Sequence, residues 1–255
     1  MGGLGASFSM DSIEAVMLAG VRIVVFMVIA PPFNFKGIPA QVKALIGLGL
    51  ALAVSAHVVP GYHSLDTGHF LVALVLELVT GGILGFLVWV IFAAIQSAGS
   101  AIDLFGGFQL AQAYDPQQNV NGAQFTRLFQ MTSLVLMFTT GGYLLVIGGL
   151  LRTFDAIPIG GAISLAHPIE MLTNVTVQMF LATLQIAGPL IVVLFLADVG
   201  LGLLTRVAPA LNAFQMGFPL KVMISLGLGG MVFIGLPSLV SNLSGQAFQA
   251  LVGVS

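Results

Sequence analysis

IDLFGGFQLAQAYDPQQNVNGAQ, residues 102 to 124, is the only long polar passage in a chain that is otherwise almost continuously apolar. It holds Asp103 and Asp115, which are two of the nine acidic residues, together with Gly106-Gly107, an Asp115-Pro116 step and the amides Gln117, Gln118, Asn119 and Asn121. Its first basic neighbour is Arg127. Polar backbone and amide groups that no regular structure satisfies cannot face hydrocarbon. The passage therefore lies in water, against other protein, or along a wet pathway. It is the candidate functional element, and the flanking apolar runs define the fold.

Over 255 residues the chain is 58% hydrophobic and 6% charged, with a mean hydropathy of +1.10, whereas a soluble domain carries about 25% charged residues. The composition predicts an all-α, polytopic, membrane-type protein. A formal net charge of -2 gives no basic stripe for nucleic acid. The lack of cysteine removes disulfides, thiolate chemistry and Cys-based metal sites. No Lys or Arg precedes the first apolar run, so that run is expected to be retained rather than cleaved as a signal peptide.

Working outward from the central passage, about six hydrophobic segments follow from apolar length and from Pro/Gly punctuation. Segment one runs from Ile13 to Ala30 and stops at Pro31-Pro32; segment two covers Ala40 to Val59 and ends at Pro60-Gly61. Segment three, Phe70 to Ser97, contains Gly81-x-x-x-Gly85, a spacing that lets helix backbones approach closely. Segment four, Phe125 to Leu151, carries the diglycines 141-142 and 148-149, which suggest bends or close contacts. The stretch 152 to 173 reads as a loop. Segment five, Asn174 to Leu204, is expected to kink or split at Gly188-Pro189, and Pro209 should end it. Segment six, Phe218 to Leu243, is interrupted by Pro237. The predicted units are thus kinked helical hairpins.

The few charges inside these segments stand out. Arg22 and Glu77 lie where a lone charge is costly, so each is expected to face protein, a wet cavity or the headgroup level. Glu77 and Asp198 would also suit a small-solute secondary transporter with a broken helix at Gly188-Pro189, although no inverted repeat is visible. Lys36, Lys43, Arg127, Arg206 and Lys221 fall on alternate connections, which places those connections in the cytoplasm and both termini outside. His57, His63 and His69 are evenly spaced, but Pro60-Gly61 breaks the stretch and no Glu or Cys completes a ligand set, so it reads as a polar loop without a metal. There is no GxSxG, HExxH or paired-Asp motif; neither covalent chemistry nor a cofactor is expected.

From Ala197 to Lys221 the chain reads ADVGLGLLTRVAPALNAFQMGFPLK. This resembles the C-terminal signature of the FliR family of flagellar export-gate proteins. IQSAGSAIDLFGGFQLAQAYDP (95 to 116), Arg22 with APPF at Ala30 to Phe33, and TTGGYLLVIGGLLRTFDAIPIG (139 to 160) extend the resemblance over nearly the whole chain.

The resemblance implies a pore-forming inner-membrane subunit of the flagellar type III export gate, in a helical hetero-oligomer with the siblings FliP and FliQ. FlhB wraps the entrance, and unfolded flagellar proteins are the cargo. It implies one subunit with a first part to Leu151 and a second from Asn174, and hairpins standing largely above the plane of the inner membrane within the basal body. Injectisome relatives share this architecture. The resemblance also maps a pore plug onto Phe105, Gly106, Gly107, Phe108, Gln109, Tyr114, Asp115, Pro116, Gln117, Gln118 and Asn119. Their chemistry suits the role, since glycines permit tight packing, proline breaks regular structure and amides bond without fixed charge. Arg22, Glu77, Asp198, Arg206, Pro209, Asn212 and Lys221 are assigned to pairing between helices and subunits.

Overall fold

A computed structural model of the chain describes residues 9–109, 124–161, 166–208 and 213–253. Among these residues the structure is helical, without strands, and forms seven helices. Helix α1 is Met10–Ile29, α2 is Ala40–Val58, α3 is Thr67–Gly106, α4 is Gln124–Thr139, α5 is Gly142–Ala156, α6 is Ala166–Val207 and α7 is Ala213–Val252.

Local sequence sets most of the helix ends. The side chain of Ser9 accepts the Ser12 N–H and starts α1. Ala30, held extended at ψ 133° before Pro31, stops it. Asp66 stands before α3 with its carboxylate accepting the Gly68 N–H at 3.3 Å and meeting His69 Nδ1 at 3.1 Å. The His69 bond, followed by the Gly68 amide, holds the Asp66 carboxyl below the usual carboxylate range. Gly107, at φ +79°, ends α3 in the left-handed conformation that favours glycine. Gly141, at φ +74°, separates α4 from α5. Helix α6 ends at Val207, two residues before Pro209.

Four helices run further than expected. Helix α5 reaches Ala156 and α6 already starts at Ala166, so helix takes both ends of the loop expected over 152–173. Helix α3 continues past Ser97 to Gly106, because buried Ala98 and Ile102 keep the apolar helical face and Asp103 finds partners. Helix α6 passes unbroken through Gly188-Pro189, where Ala187, Leu190 and Leu194 are buried. Helix α7 likewise carries Pro219 and Pro237, the latter between buried Leu236 and Val240. A proline costs about 3 kcal/mol within a helix, and at Pro189 and Pro237 the burial of neighbouring apolar side chains offsets that cost. Of the two diglycines, only the first bends the chain. Gly149 lies inside α5, where a Cβ would stand 3.1 Å from Leu251 Cβ, so it serves close contact.

The chain divides into two compact units. The first comprises the described parts of Met1–Val90, Tyr143–Val175 and Ser244–Ser255. Its core joins Leu18, Phe26 and Met27 of α1 to Leu84 and Leu87 of α3 and Leu150 of α5. The second comprises Ile91–Gly142 and Thr176–Leu243, with Ile95, Ile102, Phe129, Met137, Leu194 and Val240 in its core. Within it, the Thr183 hydroxyl of α6 donates to Ala94 O of α3 at 3.3 Å.

Helices α1, α2, α3, α6 and α7 are long and apolar enough to cross a membrane, and α4 with α5 adds a sixth span if the bent pair counts as one. The two last helices leave much apolar surface uncovered. On α6 the exposed residues Val177, Phe180, Leu184, Val192, Leu196 and Leu203 extend along most of its length.

Gly81 makes a close helix crossing in the first unit: a Cβ there would overlap the Arg22 carbonyl oxygen of α1. Gly81→Val should therefore destabilise the chain by about 1–3 kcal/mol, read as a lower midpoint of thermal unfolding in detergent. Its neighbour Gly82, where a Cβ meets nothing within 4 Å, provides the control: Gly82→Ala should hold or raise the midpoint.

Candidate functional site

Helix α3 carries two carboxylates with no exposed surface, Glu77 and Asp103, and each collects donors from distant parts of the chain. Glu77 faces Arg22 of α1, which is equally buried. Arg22 Nε donates to Glu77 Oε2 at 2.5 Å and Nη2 to Oε1 at 2.9 Å, a forked pairing that fits the planar guanidinium. The remaining valences go to the turn after α5. Arg22 Nη1 donates to Ile157 O at 2.9 Å, Nη2 reaches Pro158 O at 3.5 Å, and the Gly160 N–H donates to Glu77 Oε1 at 2.9 Å. The guanidinium also lies 4.3 Å from the centre of the Phe154 ring. Every side-chain nitrogen and oxygen of the pair has at least one hydrogen-bond partner, the condition under which an ion pair persists without water.

Asp103 seats the start of α4. Its Oδ1 accepts the Phe125 N–H at 2.9 Å, and its Oδ2 accepts both the Thr126 N–H at 2.8 Å and the Thr126 hydroxyl at 2.7 Å. The first amides of a helix have no partners within it and carry its positive dipole end, so a buried carboxylate is the fitting acceptor. One turn earlier on the same face of α3, Gly99 clears the space. A Cβ there would come within 2.8 Å of Phe125 O and Thr126 Cα. An edge-to-face series then runs from Phe108 to Phe125, Phe129 and Phe233, with centroid separations of 5.4, 6.2 and 5.3 Å. It ties the end of α3 and the start of α4 to α7. Ser225 of α7 lies beside Gly106 and is buried with no hydrogen-bond partner for its hydroxyl.

The residues expected to act in gating fall partly on this seat. Phe105 is half-buried in the last turn of α3, Gly106 is buried, Gly107 makes the turn, Phe108 heads the aromatic series and Gln109 is exposed. Tyr114, Asp115, Pro116, Gln117, Gln118 and Asn119 lie outside the described residues, as do Pro209 and Asn212. Of the residues assigned to charge pairing, Arg22 meets Glu77, and Asp198 Oδ1 of α6 meets Lys221 Nζ of α7 at 2.7 Å with partial exposure. Arg206 is exposed in the last turn of α6 and has no ion-pair partner among the described residues.

Sequence reasoning gave no role to Gly99, Thr126 or the turn at 157–160, and singled out Asp103 without a partner. The available signal was Gly99-x-x-x-Asp103, a small residue and a carboxylate one turn apart on an apolar helix. Two of the histidines are separately engaged, His57 Nε2 with Asp155 Oδ1 and His69 with Asp66. No group of three metal-ligating side chains occurs among the described residues.

Removing one member of the Arg22–Glu77 pair leaves the other charge buried and alone. Glu77→Ala should cost about 3–5 kcal/mol, and the Arg22→Met/Glu77→Leu double variant less than the sum of its single changes. A double-mutant cycle on thermal unfolding in detergent measures the coupling; additive costs would show that the pair is not coupled.

The family model described as bacterial export proteins, family 1, matches residues 13–247. The chain is 31% identical to flagellar biosynthetic protein FliR of Escherichia coli (strain K12), over 92% of this chain and 90% of that protein. It is 31% identical to flagellar biosynthetic protein FliR of Bacillus subtilis (strain 168), over 84% of each chain. It is 25% identical to Yop proteins translocation protein T of Yersinia pestis, over 75% of this chain and 78% of that protein. With the family model spanning both units and the two FliR relatives aligned over 84% or more of each chain, the chain belongs to the bacterial export proteins, family 1.

Proposed function

We propose that this chain is a pore-forming subunit of the flagellar type III export gate in the bacterial inner membrane. It passes unfolded flagellar proteins and performs no covalent chemistry. Within the gate it assembles with FliP and FliQ and meets FlhB, in the two-part organisation of 1–151 and 174–255. The passage from Phe105 to Asn121 closes the pore until cargo displaces it. Family membership and the flagellar relatives, which match more closely than the Yersinia one, support the export role and the flagellar branch.

The observation that carries the subunit role is the length of uncovered apolar surface. Exposed apolar residues on α6 run from Val177 to Val207, about 45 Å at ~1.5 Å per residue. A bilayer offers about 30 Å of hydrocarbon. A moderate tilt does not absorb the difference, so part of this surface requires cover from other protein chains. The small-solute transporter is less well supported, because Glu77 is held by Arg22 and Gly160 and Asp198 by Lys221; neither carboxylate is left free as an ion site.

Two experiments bear on this proposal. Removing Tyr114 to Asn119 should leave the complex assembled and raise ion leakage through it in proteoliposomes, while an unchanged leak would count against the closing role. Arg206→Ala should lower the yield of FliP and FliQ recovered with this chain; full recovery with lost export would place Arg206 in the transport path instead of the assembly.

A further inference from the structure

We infer that the start of α2 binds the phosphate headgroup of an anionic phospholipid, through Lys43, Lys36 and the open amides of Ala40 and Gln41. The site lies within the first unit and does not depend on the gate function proposed above. Lys43 is its centre. This residue is 8% exposed, on the stripe of α2 that also buries Gly47 against Val24 and Ala51 beside Gly20 of α1. Its ammonium nevertheless has no ion pair or hydrogen bond among the described residues. Helical side chains lean toward the N-terminus of their helix, so Lys43 covers the turn at 39–40.

The potential there is already positive. Pro39 precedes α2 without a side-chain cap, and the Ala40 and Gln41 amides have no acceptor among the described residues. These amides form the positive end of the helix dipole, which disfavours a lysine beside them unless an anion is present. Lys36, exposed in the preceding loop, adds a second cation. The carboxylates described in the first unit are engaged elsewhere: Asp11 and Glu14 hold the turn at 64–65, Asp66 meets His69, Glu77 meets Arg22 and Asp155 meets His57. A phosphate from outside the chain accepts from ammonium and amide alike.

The source of that phosphate follows from α2 itself. Its 19 residues extend about 28 Å, which matches the hydrocarbon thickness of about 30 Å. Away from the stripe that faces α1 it exposes Val42, Leu45, Leu48 and Leu52, an apolar surface that lipid covers. With the helix so placed, its first turn stands at the level of the headgroups, and an anionic one answers the two lysines.

The test titrates the full chain, purified in detergent with the subunits that accompany it, with phosphatidylglycerol or phosphatidylcholine, and counts bound lipid by native mass spectrometry. Wild type should prefer phosphatidylglycerol. K36Q and K43M should each weaken that binding about fivefold, the contribution of one lysine at an anionic surface, and K43R should retain it. Phosphatidylcholine binding should stay the same throughout, whereas a structural role of Lys43 alone would leave the preference between the two lipids unchanged. K43M keeps an apolar stem in the stripe; if it does not fold, K36Q on the exposed loop decides the matter.

Wild-type affinity for phosphatidylglycerol in every variant that folds would overturn the inference. So would displacement of the lipid by free glycerol phosphate at equal concentration, which would make this a site for a soluble phosphate. A zero-length crosslink from Lys36 or Lys43 to a carboxylate of another chain, without selective lipid binding, would overturn it in favour of a protein partner.

Discussion

A charge inside an apolar chain has to be answered by another charge, and the Arg22–Glu77 pair is where this constraint shapes the first unit. Neither group reaches the surface. Each needs the other, and the forked geometry leaves hydrogen-bonding capacity that the carbonyls of Ile157 and Pro158 and the amide of Gly160 take up. The pair thereby sets the register of α1 on α3 and pins the turn that follows α5. Gly81 allows the helices to come close enough for it. Such a cluster adds little net stability over a well-packed apolar alternative, but it penalises any arrangement that separates its members. Specificity, rather than stability, is its physical contribution.

The second unit repeats the device with different donors. Asp103 has no cationic partner among the described residues; its charge is met by the open end of a helix and by a hydroxyl. Helix α3 thus carries one buried carboxylate into each unit, at Glu77 and at Asp103, and each recruits a segment far away in sequence. By contrast, Asp198–Lys221 and His57–Asp155 are partly or largely exposed and contribute little, because solvent screens them.

The apolar surface has a different logic. In a soluble protein the exposed valines, leucines and phenylalanines of α6 and α7 would cause aggregation. In a membrane chain they are covered by lipid or by neighbouring proteins, and helices of 42 and 40 residues exceed what a bilayer covers. A fold whose own helices bury few of these side chains is therefore consistent with a subunit completed by its neighbours.

The sequence by itself determined the class, the approximate number of apolar segments and the ends of the first two. These depend on local terms: apolar run length, Pro31-Pro32, Pro60-Gly61 and the diglycine at 141 impose their effects without distant partners. The membership in an export-protein family was also legible, because Asp198 to Lys221 is a contiguous motif. Only the tertiary structure decided that Pro189 and Pro237 would not break their helices, since that outcome depends on which side chains pack around them. Likewise, only the tertiary structure paired Arg22 with Glu77 and Asp103 with Phe125 and Thr126, across separations of 55, 22 and 23 residues. A buried charge announces in the sequence that it must have a partner. Which partner it has is decided by helix packing, because no local pattern brings together groups that stand so far apart along the chain.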